Sequence, residues 1–345
     1  MSWKSRPSIA EGLWHAAPSA HGYCANVALG DKKTRNNIMP TGYYTHPEFL
    51  LHEMGHFHPE CPERLQAIED QLISHGMDGL LARREAAPAT TEQIERVHLD
   101  GYVTELQAIS PQHGYYPIDP DTSMNSHTLA AATLGAGAVV AATDAVMAGE
   151  FENAFCCVRP PGHHAEPGKA MGFCFFNNVA IAARHALKAH GLERVAIVDF
   201  DVHHGNGTEA AFRDDPQVLM CSFFQHPFYP YSGTEHFSPN MANIPLPAYS
   251  NGMAVREVVE TIWLPRLHEF RPQMLFISAG FDAHREDDLG QMGLVEADYA
   301  WMTQQLMNVA RAHANGRIVS TLEGGYNLSA LGRSVLAHLK ALLEH

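Results

Sequence analysis

A chain of 345 residues holds one large α/β domain or two smaller ones, and 46% hydrophobic with 18% charged residues is an ordinary globular composition. A formal charge of −15 at pH 7 argues against direct nucleic-acid binding, which needs a basic face. Six cysteines without C-x-x-C spacing argue against a zinc knuckle or a disulfide framework.

The start, Met1-Ser-Trp-Lys-Ser-Arg-Pro7, lacks the apolar stretch of a secretory signal, and no run reads as a membrane span of about 20 apolar residues. A cytoplasmic protein without a membrane partner is therefore expected, and a homo-oligomer is compatible with the sequence. Residues 1 to about 40 mix Gly, Pro, Asn and charge without periodicity and read as an extension of undetermined structure. Gly42 to Glu60 reads as a loop. Its histidines, His46, His52, His56 and His58, fit no compact ligand set and suggest a polar loop at the rim of a site. Pro62-Glu63-Arg64 opens a helix whose stripe is Leu65, Ile68, Leu72 and Ile73. Ser110 to Asn125 is a polar surface loop, and Thr128 to Gly149 an Ala-rich helix able to pack closely on a sheet.

From there strands and helices alternate. A strand over Ala154 to Val158, with Cys156 and Cys157 as core residues, ends at Arg159-Pro-Pro-Gly-His-His164. A helix (178 to 190) leads to Val195-Ala-Ile-Val198, four apolar residues typical of a strand buried on both faces. Asp199, Asp201, His203 and His204 follow at once. Residues two apart on an extended segment point to one side, so Asp199, Asp201 and His203 can converge, with His204 turned away. Buried carboxylates beside an imidazole need a compensating cation, and an Asp/His set suits zinc or a similar divalent ion. A helix (207 to 213), a strand (218 to 223), a helix (253 to 270), Met274-Leu-Phe-Ile-Ser-Ala-Gly-Phe-Asp282, a helix (296 to 314), Arg317-Ile-Val-Ser-Thr-Leu-Glu-Gly-Gly-Tyr326 and a last helix complete the chain. This alternation predicts a parallel α/β sheet with helices on both faces, with function beyond the carboxyl ends of its strands. His163 and His164, Asp199 to His203, Asp282, and Glu323 to Tyr326 all fall at such ends.

Five segments taken together resemble the zinc-dependent histone deacetylase family: Arg-Pro-Pro-Gly-His-His (159 to 164), Met-Gly-Phe-Cys-Phe-Phe-Asn-Asn (171 to 178), Asp-Phe-Asp-Val-His-His-Gly-Asn-Gly (199 to 207), Ser-Ala-Gly-Phe-Asp (278 to 282) and Leu-Glu-Gly-Gly-Tyr-Asn (322 to 327). They are most similar to its class II and bacterial amidohydrolase branch, which includes acetylpolyamine amidohydrolases. The resemblance implies the single-domain arginase-deacetylase fold, here a catalytic domain over 41–345. It implies Asp201, His203 and Asp282 as ligands of zinc, with ferrous iron an alternative, leaving one position for water and the substrate carbonyl. Tyr326 would donate to the developing oxyanion. Asp199 would pair with His163 and Asn206 with His164. A carboxylate favours the imidazolium more than an amide does, so His164 is the expected general base and His163 the electrostatic partner.

The resemblance also implies Phe173 and Tyr229 as facing channel walls, the Gly172 carbonyl as acceptor for the substrate N–H, and Arg64 near the inner end of the channel. A structural potassium would sit among Asp199, Asp201, His203, Ser222 and Phe223. Where many relatives have Gly-Asp-Pro, this chain has His284-Arg-Glu-Asp-Asp-Leu289. Leu289 stands where a polyamine-selective relative has a glutamate, which favours acyl-lysine-like substrates. The acidic loop residues Glu53, Glu60, Asp119 and Asp121 could instead serve the cationic tail of a small-molecule polyamine. No counterpart of the family's peptide-gripping rim aspartate is evident. The rival readings are an acetylpolyamine or other small-amide hydrolase with the same chemistry, and a binding protein that kept the fold without catalysis. A binuclear manganese hydrolase would need more Asp ligands than Asp201 and Asp282.

Overall fold

The computed structural model of the chain describes residues 40–344. The extension expected over residues 1 to about 40 therefore lies, but for Pro40, outside the described residues, as does His345. The strands run β1 (Thr41–Tyr44), β2 (Leu81–Arg84), a short antiparallel pair β3 (Tyr116–Pro117) and β4 (Ser123–Met124), β5 (Asn153–Cys156), β6 (Val195–Asp199), β7 (Val218–Gln225), β8 (Met241–Leu246), β9 (Leu275–Ala279) and β10 (Ile318–Leu322). All but β3 and β4 join one sheet in the order β2-β1-β5-β10-β9-β6-β7-β8, with every pairing parallel. The parallel sheet is thus as expected. Three strands were not: β1 and β2 at one edge and β8 at the other.

Helices connect the strands and bury them. Every residue of Val195 to Val198 and of Leu275 to Ala279 is completely buried, which is why these strands read as unbroken apolar runs. Residues of the motifs also start helices. The Asn177 side chain accepts from Ala180 N at 3.0 Å and opens Asn178–Ala189; Asn327 does the same for Leu328–Leu343, accepting from Ala330 N at 3.0 Å. The helix expected over 253 to 270 is continuous but carries a π-turn at Val259–Trp263.

Two sequence readings are corrected. Ile73 is exposed, so only Leu65, Ile68 and Leu72 of the first helix's stripe face the core. Helix Thr128–Ala148, with 21 residues, is long and apolar enough to cross a membrane, although no such run was expected. Asp144 is its only ionisable residue, and 72% of its most apolar window is buried in the fold. It therefore behaves as a core helix against β5, β10 and β1.

The four central neighbours in the sheet are β5, β10, β9 and β6. They are the four strands whose ends carry the tandem histidines, Glu323 to Tyr326, Asp282 and Asp201. Adjacent strands lie about 4.8 Å apart, so residues spread over 160 positions of sequence meet within one hollow.

Candidate active site

The floor of the hollow is built by the loops after β6 and β9. His203 Nδ1 lies 3.0 Å from Asp201 Oδ1 and 3.2 Å from Asp282 Oδ2, and the three ligand atoms lie within 4.8 Å of one another. Both carboxylates are completely buried. Asp201 Oδ2 accepts from Gly324 N at 2.9 Å and Asp282 Oδ1 from Val202 N at 2.9 Å, whereas Asp282 Oδ2 has no hydrogen-bond partner among the described residues. Burial and the Asp201 charge push the Asp282 carboxyl up to about 7. Such an orphaned oxygen between a carboxylate and an imidazole calls for a cation.

The spacing fits one. Ligands about 2.1 Å from a tetrahedral ion stand roughly 3.4 Å apart, close to the 3.0 and 3.2 Å that separate His203 Nδ1 from the two carboxylates. The chain also leaves room for the carboxylates: a Cβ at Gly280 would lie 2.0 Å from Asp201 Oδ2, and one at Gly324 2.0 Å from Asp282 Oδ2. A second His/Asp group among the described residues fails the same test. Asp144 Oδ1 stands 2.7 Å from His185 Nε2 and 2.6 Å from His190 Nε2, direct hydrogen-bond distances. Arg96 donates to His185 Nδ1 at 3.0 Å, which leaves the ring proton on Nε2 and removes that lone pair from any metal.

Asp199 does not join the ligand set. Its Oδ2 lies 3.0 Å from His163 Nδ1, and its Oδ1 accepts from Asp201 N at 3.1 Å. His204 is turned away, as expected, against Phe224 and 2.6 Å from Glu209 Oε2. Burial alone would lower the His163 pKa, but the Asp201 and Asp199 carboxylates outweigh it and hold it at about 10. His164 Nδ1 meets Asn206 Oδ1 at 2.8 Å, while Asn206 Nδ2 donates to Glu166 Oε1 at 2.8 Å. The amide oxygen is therefore the atom facing His164, so Nδ1 carries the proton and Nε2 keeps its lone pair. Burial, then the neighbouring His163 and His203, push His164 well below the ordinary imidazole value. One imidazole is kept charged and the one 4.0 Å away neutral.

The histidine loop is strapped from β10. The buried Glu323 accepts from Gly162 N at 2.6 Å, His163 N at 3.1 Å and Ser278 Oγ at 3.0 Å. Sequence reading placed Glu323 at a strand end but gave it no part. Its backbone partners Gly162 and His163 lie 161 and 160 residues away and Ser278 lies 45 away, and nothing local announces them.

Above the floor is a cavity of about 230 Å³. His164, His203 and Tyr326 reach it from below; Gly172, Phe173, Tyr229 and Leu289 wall it, as expected, together with Phe228, which sequence reading missed. Phe228 stacks on His203 with ring centres 5.4 Å apart, and Tyr229 meets His164 edge-on at 5.2 Å. The Gly172 carbonyl accepts from Cys174 Sγ at 3.2 Å, which leaves it one lone pair for another donor. Asp121 and Asp288, both exposed, line the outer end. Asp121, one of the acidic loop residues named for a cationic tail, thus reaches the rim. Of the other acidic residues named for a polyamine tail, Glu53 is exposed and receives the Tyr115 hydroxyl at 3.1 Å, whereas Glu60 is completely buried and unavailable. Larger hollows of about 610 and 680 Å³ elsewhere gather no comparable set of groups.

Arg64 does not line the cavity. It is completely buried behind Tyr326, its Cζ 4.9 Å from the ring centre. It donates to Gly325 O at 2.6 Å, Glu323 O at 2.5 Å and Glu60 Oε1 at 3.1 Å. Despite burial, Arg159 and His52 hold the Glu60 carboxyl well below its usual range. Of the early histidines, His58 does reach the rim, edge-on to Phe173 at 4.7 Å, but His52 is buried on Thr128 Oγ1 at 2.9 Å. At the ends of β6 and β7, Asp199 is in register with Ser222, followed by Phe223.

A parallel α/β sheet with a ligand set, a charged and a neutral histidine and a free phenol at one end defines a hydrolase of the arginase-deacetylase architecture. The model of the histone deacetylase domain matches residues 58–342, and the chain belongs to that family. It is 39% identical over 277 residues to the histone deacetylase-like amidohydrolase of Pseudomonas aeruginosa, covering 78% of this chain and 73% of that protein. It is 38% identical over 307 residues to polyamine deacetylase HDAC10 of Mus musculus, covering 82% of this chain but 45% of that protein. The crystal structure of the HDA15 HD domain superposes with a TM-score of 0.83 at 35% identity, covering 88% of this chain and 89% of that one.

Proposed function

We propose that the protein hydrolyses an N-acetyl amide at the tip of an extended alkyl chain, acyl-lysine-like in form, releasing acetate and the amine. The observation that carries this reading is a neutral imidazole, His164, whose free Nε2 faces a narrow apolar cavity between the Asp201–His203–Asp282 set and the Tyr326 phenol. A zinc or ferrous ion bound by those three residues would polarise the amide carbonyl and make water more acidic. His164 takes a proton from the attacking water at Nε2 and returns it to the leaving amine. His163, held as imidazolium by Asp199, lowers the energy of negative charge developing nearby. Tyr326, whose hydroxyl pKa burial raises well above the ordinary value, stays protonated and donates to the carbonyl oxygen as it becomes an oxyanion. Phe173 and Tyr229 hold the alkyl chain and exclude water, and the Gly172 carbonyl accepts the amide N–H. Potassium among Asp199, Asp201, His203, Ser222 and Phe223 belongs to the same reading and would stiffen the ends of β6 and β7.

Tyr326→Phe tests it directly. Turnover is expected to fall by about 10²–10³-fold with little change in KM, the effect of losing one oxyanion donor. Equal turnover of variant and wild type would remove Tyr326 from the mechanism.

A second reading, deacetylation of an acetylpolyamine, is favoured by Asp121 and Asp288 at the outer end of the cavity, where a cationic amine would be attracted. Leu289 in the wall favours the first. Rates on an acetyl-lysine peptide and on acetylputrescine, measured side by side, separate them. At least about tenfold higher kcat/KM on the peptide is expected, and the reverse order would establish the polyamine reading.

A further inference from the structure

We infer that Asp287 is a positioning residue that fixes the Tyr326 phenol and the Leu289 wall with a single carboxylate. The inference rests on the reading of Tyr326 as oxyanion donor. Asp287 follows Asp282 by five residues and is only 5% exposed. Its Oδ2 accepts from Tyr326 N at 2.6 Å and from Asn327 N at 2.8 Å, and its Oδ1 accepts from Leu289 N at 3.0 Å. No cationic side chain pairs with it among the described residues, and Arg64 acts on it only through space. A buried carboxylate held by three backbone N–H groups alone is an expensive way to satisfy amides that water or an asparagine could reach. Its position explains the expense.

The Tyr326 hydroxyl has no hydrogen-bond partner among the described residues, as a group reserved for substrate requires. Its direction must then come from the ring's packing and from the backbone. The ring has Phe173 edge-on at 5.8 Å and Arg64 behind it. The backbone before it passes through Gly325 at φ 120°, a conformation that glycine adopts freely and that does not lock the loop by itself. Arg64 grips this loop on one side, at Gly325 O, and Asp287 grips it on the other, at Tyr326 N. The Asp287 loop is itself tied down. Arg285 N donates to Leu294 O at 2.9 Å, and Arg333 Nη2 holds Glu286 at 2.8 Å. One carboxylate therefore joins the donor of the oxyanion hydrogen bond to the residue that shapes the acyl-bearing channel.

The test is a double-mutant cycle with amide hydrogen exchange as an independent readout. Asp287→Ala is expected to lower kcat on an acetyl-lysine peptide by about 10–100-fold, as for a small misplacement of a reacting group, with KM changed less than about threefold. Exchange at the Tyr326 and Asn327 amides should speed up while the core strands keep their protection. In a Tyr326→Phe background the same substitution should cost less than about threefold, because the hydroxyl it positions is already gone. Asp287→Asn keeps one acceptor oxygen for the Tyr326–Asn327 pair and should restore most of kcat and the slow exchange, while the Leu289 N–H loses its acceptor. An Asp287→Ala effect as large in the Tyr326→Phe background as in wild type overturns the inference while leaving the function intact. So does unchanged exchange at residues 326 and 327. Full activity of Tyr326→Phe alone overturns both.

Discussion

Stripping divalent metal from the protein with a chelator is expected to abolish amide hydrolysis, and adding zinc or ferrous salt back to restore it. Two completely buried carboxylates, Asp201 and Asp282, face one imidazole, and one carboxylate oxygen has no hydrogen-bond partner among the described residues. Without a metal ion the set is held together by protons: burial and the Asp201 charge push Asp282 up to about 7, and Asp201 and Asp282 outweigh burial to raise His203 to about 10. An ion bound to the folded chain and not to the unfolded one raises stability, by about 4 kcal/mol at a thousandfold excess over Kd. Metal addition should therefore raise the melting temperature as well as the rate. Asp282→Asn should lose metal stoichiometrically and fail to respond to zinc in both assays. Unchanged activity after complete metal removal, verified by elemental analysis, would exclude the ligand assignment.

The second large effect is at His164. His164→Ala is expected to lower turnover by about 10²–10⁴-fold, the range for losing a positioned general base, while metal content stays unchanged. The pH dependence carries the sign. As a general base His164 would act in its neutral form, and burial with the neighbouring imidazoles holds its pKa below the ordinary 6.5. Activity should thus stay on a plateau at pH 7 and decline only as pH falls through that lowered value. Asn206→Asp places a carboxylate on Nδ1 in place of an amide oxygen. It favours the imidazolium, raises the pKa and should shift the acid limb of the kcat/KM profile to higher pH. A limb that moves downward or stays fixed would show that another group titrates there.

Much of the floor was legible from the chain because it violates a strong rule. A run such as Val195 to Val198 predicts a strand buried on both faces, and acids directly after it have no structural reason to be there. Four such ends in one alternating pattern located the hollow. The edges were not legible, for a physical reason. β8 contains Asn243 and Pro245, and β2 ends in Arg83 and Arg84; edge strands tolerate proline and charge, and central ones do not. β1 is four residues long with Gly42 inside it and carries no periodic signal. The parts of Glu323 and Asp287 escaped for a different reason. Each acts on backbone N–H groups, which every residue possesses, so the partner leaves no trace in composition or spacing. Arg64 was placed on the channel because it resembles an arginine that the family holds near the channel's inner end. The fold puts it one layer behind, where it holds a loop.

The proposed acid–base and ligand groups stand on four neighbouring strand ends, while the outer end of the cavity draws Asp121 from a loop outside the sheet. Reaction and selectivity are therefore separable in heredity. A laboratory graft of residues 110–125 from a relative should change substrate choice without rebuilding the chemistry beneath, whereas the 284–289 segment, through Asp287, is tied to Tyr326 and cannot be exchanged so freely.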